Sequence, residues 1–279
     1  MCALRRSHLL AAVFAAFVLN VVGVVDTAAQ PSPESYKTLH WRFIGPEGNR
    51  FSAAAGIPGD PFTYYVGAAS GGIYKTTDGG VHWDAIFDDM PVQSIGAIGV
   101  SISDPNVVWA GTGEGKIRSH ISLGEGIYKS TDAGETWTLM GLEHTGRIPR
   151  LVIHPTNPDI VFACALGHSY GPQPERGVYR TIDGGETWEH VLFVDEDTGC
   201  SDIAIDPSNP RILFAGTWQL VIHTWGRFSG GTGGGLHVSR DGGDTWTRLE
   251  GHGLPTKPVG KVAVAFAPSN TQRVYAMFE

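Results

Sequence analysis

Short apolar runs separated by turn residues recur along most of the chain. In one repeat the runs are Ile95 to Ser101, Val107 to Gly111, Gly126 to Ser130 and Thr136 to Met140. Runs of this length, bounded by glycine, proline, aspartate and serine, are typical of β-strands. Helical periodicity is absent after residue 30, so the pattern predicts an all-β protein built from four-stranded units.

The four-stranded unit repeats at a nearly constant interval. Trp83, Trp137, Trp188 and Trp246 follow one another at spacings of roughly 50 to 58 residues. Antiparallel four-stranded units at this period are typical of the blades of a β-propeller. We therefore predict an all-β propeller whose blades span about 52–87, 95–141, 148–193 and 199–249, with part of a fifth at 260–279.

A propeller closes its ring of blades so that no sheet edge stays unpaired. Four blades and part of a fifth do not complete such a ring. We therefore expect residues 30–279 to be the N-terminal part of a longer propeller, in which Leu39 to Gly45 forms the outer strand of the last blade.

The N-terminal residues have a different pattern. Arg5 and Arg6 precede an apolar run from Leu9 to Val25, and small residues follow that run. This order predicts a signal peptide at residues 1–29, with an uncleaved membrane anchor as the alternative. No later run is long enough to span a membrane, so we expect a secreted or periplasmic protein without a membrane span after cleavage.

Composition indicates which partners and which covalent cross-links the chain is suited to. The chain carries 20 basic against 28 acidic residues, a formal net charge of -8, which argues against nucleic acid as a partner. Signal cleavage leaves Cys164 and Cys200. Two cysteines make no disulfide framework and Cys164 lies in an apolar strand, so we expect buried thiols, with a disulfide in an oxidising compartment as the alternative.

The octet that ends in each repeated tryptophan predicts a turn. It reads "TTDGGVHW", "STDAGETW", "TIDGGETW" and "SRDGGDTW" in the four repeats. Glycine supplies a positive φ, while the aspartate and the first hydroxyl accept backbone N–H groups within a turn between the third and fourth strands. The tryptophan then begins the outer strand and buries its ring under the turn.

The octet matches the Asp box, Ser/Thr-x-Asp-x-Gly-x-Thr-Trp, from which only His82 departs, at the threonine position of the first copy. With these boxes and the segment Trp41 to Arg50, the chain resembles secreted bacterial proteins with sortilin-like (Vps10) propellers, often labelled BNR-repeat glycosyl hydrolases, and it is similar to xyloglucanases. In those families the box is a structural turn. The resemblance therefore implies a structural role for Asp78, Trp83, Asp132, Trp137, Asp183, Trp188, Asp241 and Trp246.

The repeats place the candidate functional residues on one face. The connections between second and third strands, which share a face with the links between blades, carry insertions at 112–125, 165–176 and 217–234. Variable insertions at one repeat position usually form the binding face. The polar and aromatic residues predicted to gather there are Glu114, Arg118, His120, His144, Arg147, His168, Tyr170, Glu175, Arg176, Asp195, Glu196, Asp197, Trp218, His223, Trp225 and Arg227.

Several of these residues also have simpler interpretations. Asp195 to Asp197 reads as a solvated turn, with a calcium site as the alternative because oxygen ligands on a turn suit that ion. The histidines lack metal-ligand spacing, so we predict no zinc and no cofactor. Trp218 and Trp225 are expected to pack their loop against its own blade, and the alternative is a sugar-stacking role.

No catalytic pair of residues is recognisable. Arg147-Ile148-Pro149 copies a sialidase motif, but it follows the second Asp box and opens a blade, so we interpret it as coincidence. Xyloglucanases use one carboxylate as a base and another as an acid. By resemblance the base would be Asp78, but the segment around it lacks the spacing of the xyloglucanase motif and lies on the Asp-box face. The acid would come from a second propeller.

We therefore expect a secreted module that binds peptide or glycan ligands on its insertion-rich face, as the sortilin-like resemblance implies. The alternative is a glycoside hydrolase that acts on polysaccharide and is completed by further blades.

Overall fold

The computed structural model describes residues 32–39, 45–46, 50–118 and 121–279. Three sequence predictions fall outside the described residues: the signal peptide at 1–29, His120, and most of the strand expected at Leu39 to Gly45. Among the described residues, no helix is long and apolar enough to cross a membrane.

The chain divides into two compact units, Met1–Phe43 and Ile44–Glu279. In the first unit, Pro33–Tyr36 forms a short 3-10 helix. The second unit contains every strand found among the described residues and a further 3-10 turn at Glu143–Thr145.

The first two sheets each contain four strands in chain order, and every strand is antiparallel to the next. They comprise β1 (Phe51–Gly56), β2 (Tyr64–Ala68), β3 (Ile73–Thr76) and β4 (Asp84–Ala85), then β5 (Ile95–Val100), β6 (Val108–Thr112), β7 (Ile127–Ser130) and β8 (Thr138–Leu139). The strands of the second sheet lie within two residues of the ends predicted from the sequence.

The third and fourth sheets repeat this order, the fourth with one added strand, and the fifth sheet has two strands. The third sheet comprises β9 (Arg150–His154), β10 (Asn157–Ala165), β11 (Gly177–Thr181) and β12 (Glu189–Leu192). The fourth comprises β13 (Thr198–Ile205), β14 (Leu213–His223), β15 (Gly226–Ser229), β16 (Gly235–Ser239) and β17 (Thr247–Arg248). The fifth comprises β18 (Val262–Ala267) and β19 (Asn270–Phe278). Strand β15 pairs only with the far end of β14, so the two form a hairpin that extends beyond the fourth sheet.

Apolar layers between successive sheets hold the fold together. The first strands of neighbouring sheets contact one another, β1 with β5, β5 with β9, β9 with β13 and β13 with β18. Tyr65 and Ile73 of the first sheet pack on Ile95 and Tyr128 of the second, and similar layers separate the later sheets. Four-stranded sheets stacked around neighbouring first strands are propeller blades, so the predicted fold class is confirmed.

Each Asp box is a closed network of hydrogen bonds. In the second box the Ser130 hydroxyl donates to Asp132 Oδ1 (2.7 Å), while the backbone N–H and hydroxyl of Thr136 donate to Oδ1 (2.9 Å) and Oδ2 (2.6 Å) of the same carboxylate. The hydrogen bonds from Thr136, with that from Ser130, lower the pKa of Asp132 to about 2. In the first box His82 replaces the threonine, and its ring nitrogen Nδ1 contacts Asp78 Oδ2 at 2.6 Å.

In the second and third boxes the tryptophan joins its sheet to the preceding one. Trp137 Nε1 donates to the Ile86 carbonyl (2.8 Å), and Trp188 Nε1 donates to the Met140 carbonyl (2.7 Å). Gly185 has a φ of +101°, and a Cβ atom there would lie 2.7 Å from the Trp109 ring, so both the turn and the contact require glycine.

A disulfide links the third and fourth sheets. Cys164 of β10 and Cys200 of β13 are bonded, with their Cα atoms 5.0 Å apart, and both residues are fully buried. The sequence-based expectation of two buried thiols was therefore wrong, and the alternative pairing holds. The expectation failed because it treated each cysteine alone, whereas the packing of β10 on β13 brings the two together.

Candidate ligand-binding face

The three insertions contact the links between the sheets, so they lie on one face. The backbone N–H of Gly124 donates to the Gly146 carbonyl (2.8 Å), that of Gln173 to the Glu196 carbonyl (2.8 Å), and that of Leu220 to the Asp197 carbonyl (3.2 Å). We call the insertions 112–125, 165–176 and 217–234, with the links 142–147 and 195–201, the insertion face.

The insertions share a small apolar cluster of their own. Leu166, Trp218 and Leu220 are buried against one another, and Ile117 packs on them. These residues come from all three insertions, so the insertion face has a packed base. Trp218 also donates from Nε1 to the Ser229 hydroxyl (2.9 Å), which holds the β14–β15 hairpin in place.

Two fully buried arginines fasten the loops of the insertion face. Arg176 donates to the carbonyls of Asp197 (2.6 Å), Leu220 (2.9 Å) and Gly171 (2.9 Å). Arg147 donates to the carbonyls of Gly167 (3.0 Å) and His168 (2.6 Å), and burial lowers its pKa to about 10. Because their guanidinium groups bind backbone oxygens, these arginines order the loops and do not present their charge to solvent.

Glu114 is a buried carboxylate held by two arginines. It is fully buried, forms an ion pair with Arg50, and accepts from Arg118 Nε at 3.0 Å. Arg50 stands before the first sheet, and Arg118 belongs to the same insertion as Glu114. This carboxylate therefore anchors the first insertion and is closed to a ligand.

A cleft of about 750 Å³ opens where the first strands of the sheets begin. Its wall includes Ser52 of β1, Arg150 of β9, Asp202 of β13 and Ala263 of β18, so the cleft follows the line of inner strands. Insertions contribute to the same wall. Five basic and two acidic side chains line the cleft, namely Arg50, Lys116, Arg150, Arg227 and Lys261, and Asp202 and Glu279.

The β14–β15 hairpin presents aromatic rings to solvent. Trp225 at its tip is 78% exposed, and its ring stacks on His223 with centroids 4.6 Å apart. Phe228, 55% exposed, meets the same histidine ring edge to face. Arg227 pairs with Ile222 in the hairpin ladder and lines the cleft. The hairpin thus carries both a cationic residue of the cleft and a solvent-exposed indole ring.

The structure divides the predicted site residues by exposure. Glu114, Arg147, Arg176 and Trp218 are buried, and His120 lies outside the described residues. Half-buried residues are Arg118, His168, Glu175, Asp195 and Asp197, while the exposed ones are His144, Tyr170, Glu196, His223, Trp225 and Arg227. The two tryptophans of the third insertion therefore differ, since Trp218 packs the loop and Trp225 faces solvent.

Sequence reasoning missed the basic wall of the cleft. Arg50, Arg150 and Lys261 were not candidates, yet each stands at or beside the first residue of β1, β9 or β18. Alignment of the repeats at the start of the first strand would have grouped them. Lys116 lies in the first insertion and was passed over between Glu114 and Arg118.

The acidic turn at Asp195 to Asp197 is held by a hydrogen bond within the turn. Asp195 Oδ1 accepts the backbone N–H of Asp197 at 2.9 Å. Within the described part of the chain, no three His, Cys, Asp or Glu side chains come together in an arrangement that could hold a metal ion.

Known proteins resemble this chain in sequence and in fold. Residues 125–275 match the sequence profile of the Sortilin-Vps10 family, described as "Sortilin, neurotensin receptor 3". A "Probable oligoxyloglucan-reducing end-specific xyloglucanase" of Neosartorya fischeri is 27% identical over 184 residues, which cover 62% of this chain and 19% of that protein. "Vacuolar protein sorting/targeting protein 10" of Sordaria macrospora is 31% identical over 119 residues, 41% of this chain and 7% of that one.

A solved structure shares the fold. An ancestral GH74 enzyme superposes with a TM-score of 0.63 at 20% identity, over 85% of this chain and 28% of that chain. The chain spans 19% to 20% of the length of the first curated relatives that it matches.

Proposed function

Because the chain belongs to the Sortilin-Vps10 family, we propose that it is an extracytoplasmic module that captures a peptide or glycan ligand on its insertion face. The observation that carries this proposal is the hairpin tip at Trp225. A tryptophan that is 78% exposed is unusual, because this side chain normally buries most of its large apolar surface. A rigid indole held open beside a cleft is suited to a ligand that covers it.

The remaining features of the insertion face support binding rather than a structural role alone. The loops are ordered by Arg147 and Arg176, so the face is shaped before a ligand arrives, which lowers the entropy that binding must offset. The opposite face carries the Asp boxes, whose carboxylates are already occupied by their own turns.

The disulfide supports a location outside the cytoplasm. Cys164 and Cys200 form a bond of the kind that persists in oxidising compartments. It agrees with the signal peptide expected at residues 1–29, and we propose a secreted or periplasmic location.

Hydrolysis of a polysaccharide is the second candidate function. Xyloglucanases are among the relatives, and Asp195, Glu196 and Asp197 provide carboxylates on the insertion face. Glycosidases need an acid and a base on either side of the scissile bond. Glu114 is not suited to either role because two arginines hold it in a buried ion pair.

Replacing Trp225 with alanine is expected to weaken ligand binding by roughly tenfold, because exposed aromatic anchors contribute more than 1 kcal/mol to interfaces. The ligand is first selected on glycan and peptide arrays with the purified chain, and its affinity is then measured by calorimetry. Phe62→Ala is the matched control, since Phe62 is 58% exposed beside the first Asp box on the opposite face.

The proposal fails if Trp225→Ala, Arg118→Ala and His168→Ala all bind the selected ligand as tightly as the parent chain. Release of reducing ends from a β-glucan, abolished by Asp197→Asn, would instead establish the hydrolase.

A further inference from the structure

The net charge of the cleft is opposite in sign to the net charge of the whole chain. The chain as a whole has a formal net charge of -8, yet the cleft is lined by five basic and two acidic side chains. A cleft with an excess of positive charge attracts negatively charged ligands. This cleft therefore favours an anion over a neutral ligand.

Three of the cleft's cations form no close ion pair, although the Glu279 carboxylate acts on Arg227 and Lys261 at longer range. Arg50 pairs with Glu114, and Arg150 Nε lies 3.5 Å from Asp202 Oδ1. The Glu279 carboxylate accepts from the Ser229 hydroxyl (2.7 Å) and from the backbone N–H of Lys261 (3.1 Å). Lys116, Arg227 and Lys261 remain, and none of the three forms an ion pair within the described part of the chain.

The two lysines of this group repel each other. Lys261 is half-buried, and its ammonium nitrogen lies 5.4 Å from the centroid of the Trp218 ring. Burial followed by the charge of Lys116 lowers its pKa, and the carboxylates of Asp202 and Glu279 offset only part of this effect. Like charges held together in a partly desolvated cleft destabilise the unliganded protein. A bound anion removes this repulsion, so the cleft gains more from an anionic than from a neutral ligand.

We propose that this cleft takes a glycan chain that carries repeated carboxylates, such as an oligouronide, in contact with Lys116, Arg227 and Lys261. The proposal rests on the ligand-binding function assigned to the insertion face and names the class of its ligand. Three cations along one cleft match a ligand with several carboxylates better than one with a single charge.

The hairpin favours a glycan over an acidic peptide. Arg227 lines the cleft, and Trp225, two residues earlier, presents an open ring at the tip of the same hairpin. A sugar chain that leaves the cleft across the hairpin therefore passes from carboxylate-binding cations to an apolar platform that accepts a pyranose face. The cleft volume of about 750 Å³ lies within the range of known ligand sites.

Calorimetry with two matched ligands tests the charge requirement. The purified chain is titrated with oligogalacturonate and with the same oligomer fully methyl-esterified, which has the same backbone but no charge. We expect the acidic oligomer to bind at least about tenfold more tightly, and the difference to shrink as salt is raised, because salt screens partly exposed charges.

A pair of double variants tests the location. Lys116→Ala/Arg227→Ala is expected to weaken oligogalacturonate binding by at least about tenfold. Arg211→Ala/Arg240→Ala removes the same charge from exposed positions near the fourth Asp box, on the opposite face, and is expected to leave the affinity unchanged. Circular dichroism confirms that each variant retains the strand content of the parent.

Distinct results overturn the inference and the underlying function. Equal binding of acidic and esterified oligomers, or equal losses in the two double variants, contradicts the inference. Trp225-dependent binding of a neutral xyloglucan oligosaccharide, without oligogalacturonate binding, leaves the binding function standing and refutes the ligand class. Binding of poly-glutamate through Lys116 and Arg227, with no glycan bound, also refutes it in favour of an acidic peptide.

Discussion

Arg176→Met is expected to lower the free energy of unfolding by about 3 kcal/mol, because it removes three charge-assisted hydrogen bonds and leaves buried carbonyls unpaired. The three acceptors are the carbonyls of Gly171, Asp197 and Leu220, which belong to two insertions and one link. Loss of the unfavourable burial of the charge offsets part of this effect. Methionine keeps most of the apolar part of the arginine side chain, so the loss of stability measures the contribution of the guanidinium group.

Urea denaturation of the variant and of Arg211→Met measures this effect. Arg211 is exposed, so its replacement is expected to change stability by less than about 0.5 kcal/mol. A loss below about 1 kcal/mol for Arg176→Met would show that the loops of the insertion face hold together without the buried arginine.

Loss of the disulfide is expected to lower the free energy of unfolding by about 3 to 4 kcal/mol, because the bond closes a long loop in the unfolded chain. Cys164 and Cys200 are 36 residues apart in sequence and tie the third sheet to the fourth. The variant Cys164→Ala/Cys200→Ala removes the bond with small side chains that fit a buried site.

The reductant dependence of unfolding provides the control. The parent chain is expected to lose stability in dithiothreitol, whereas the double variant is expected to be indifferent to it. Reaction of both Cys164 and Cys200 with a thiol reagent in the unreduced, denatured parent chain would contradict the assignment of the bond.

The Asp-box turns were predictable because their chemistry is local. Ser130, Asp132, Gly134 and Thr136 lie within seven residues, and the hydrogen bonds among them follow from the octet alone. The spacing of the octets predicted four-stranded units, and the first three sheets have four strands each, while the fourth has the additional strand β15. The resemblance to sortilin-like and xyloglucanase propellers is likewise confirmed by the family match and by the relatives.

Contacts between repeats were not predictable from one sequence. The pairing of Cys164 with Cys200 depends on how closely two sheets approach, and the pattern within each strand is silent on that distance. Trp218 and Trp225 occupy the same insertion, but the register of the β14–β15 hairpin buries one and exposes the other.

The location of the candidate site stays a prediction from the repeats. The structure places Arg227 and Trp225 in the hairpin of the third insertion, and Arg227 lines the cleft. The cations Arg50, Arg150 and Lys261 were missed because they belong to the inner strands and reach the cleft only when the sheets stack. Conversely, Arg147 and Arg176 looked like ligand contacts until their buried carbonyl partners were seen.

The central claim is that ligands bind on the insertion face while the Asp-box face is structural. Hydrogen–deuterium exchange of the chain, with and without the ligand that binds tightest on the arrays, tests this claim most directly. We predict slower exchange in segments 112–125, 165–176 and 217–234, and unchanged exchange in the four Asp boxes. Protection confined to the Asp boxes, with the three insertions unchanged, would contradict the account.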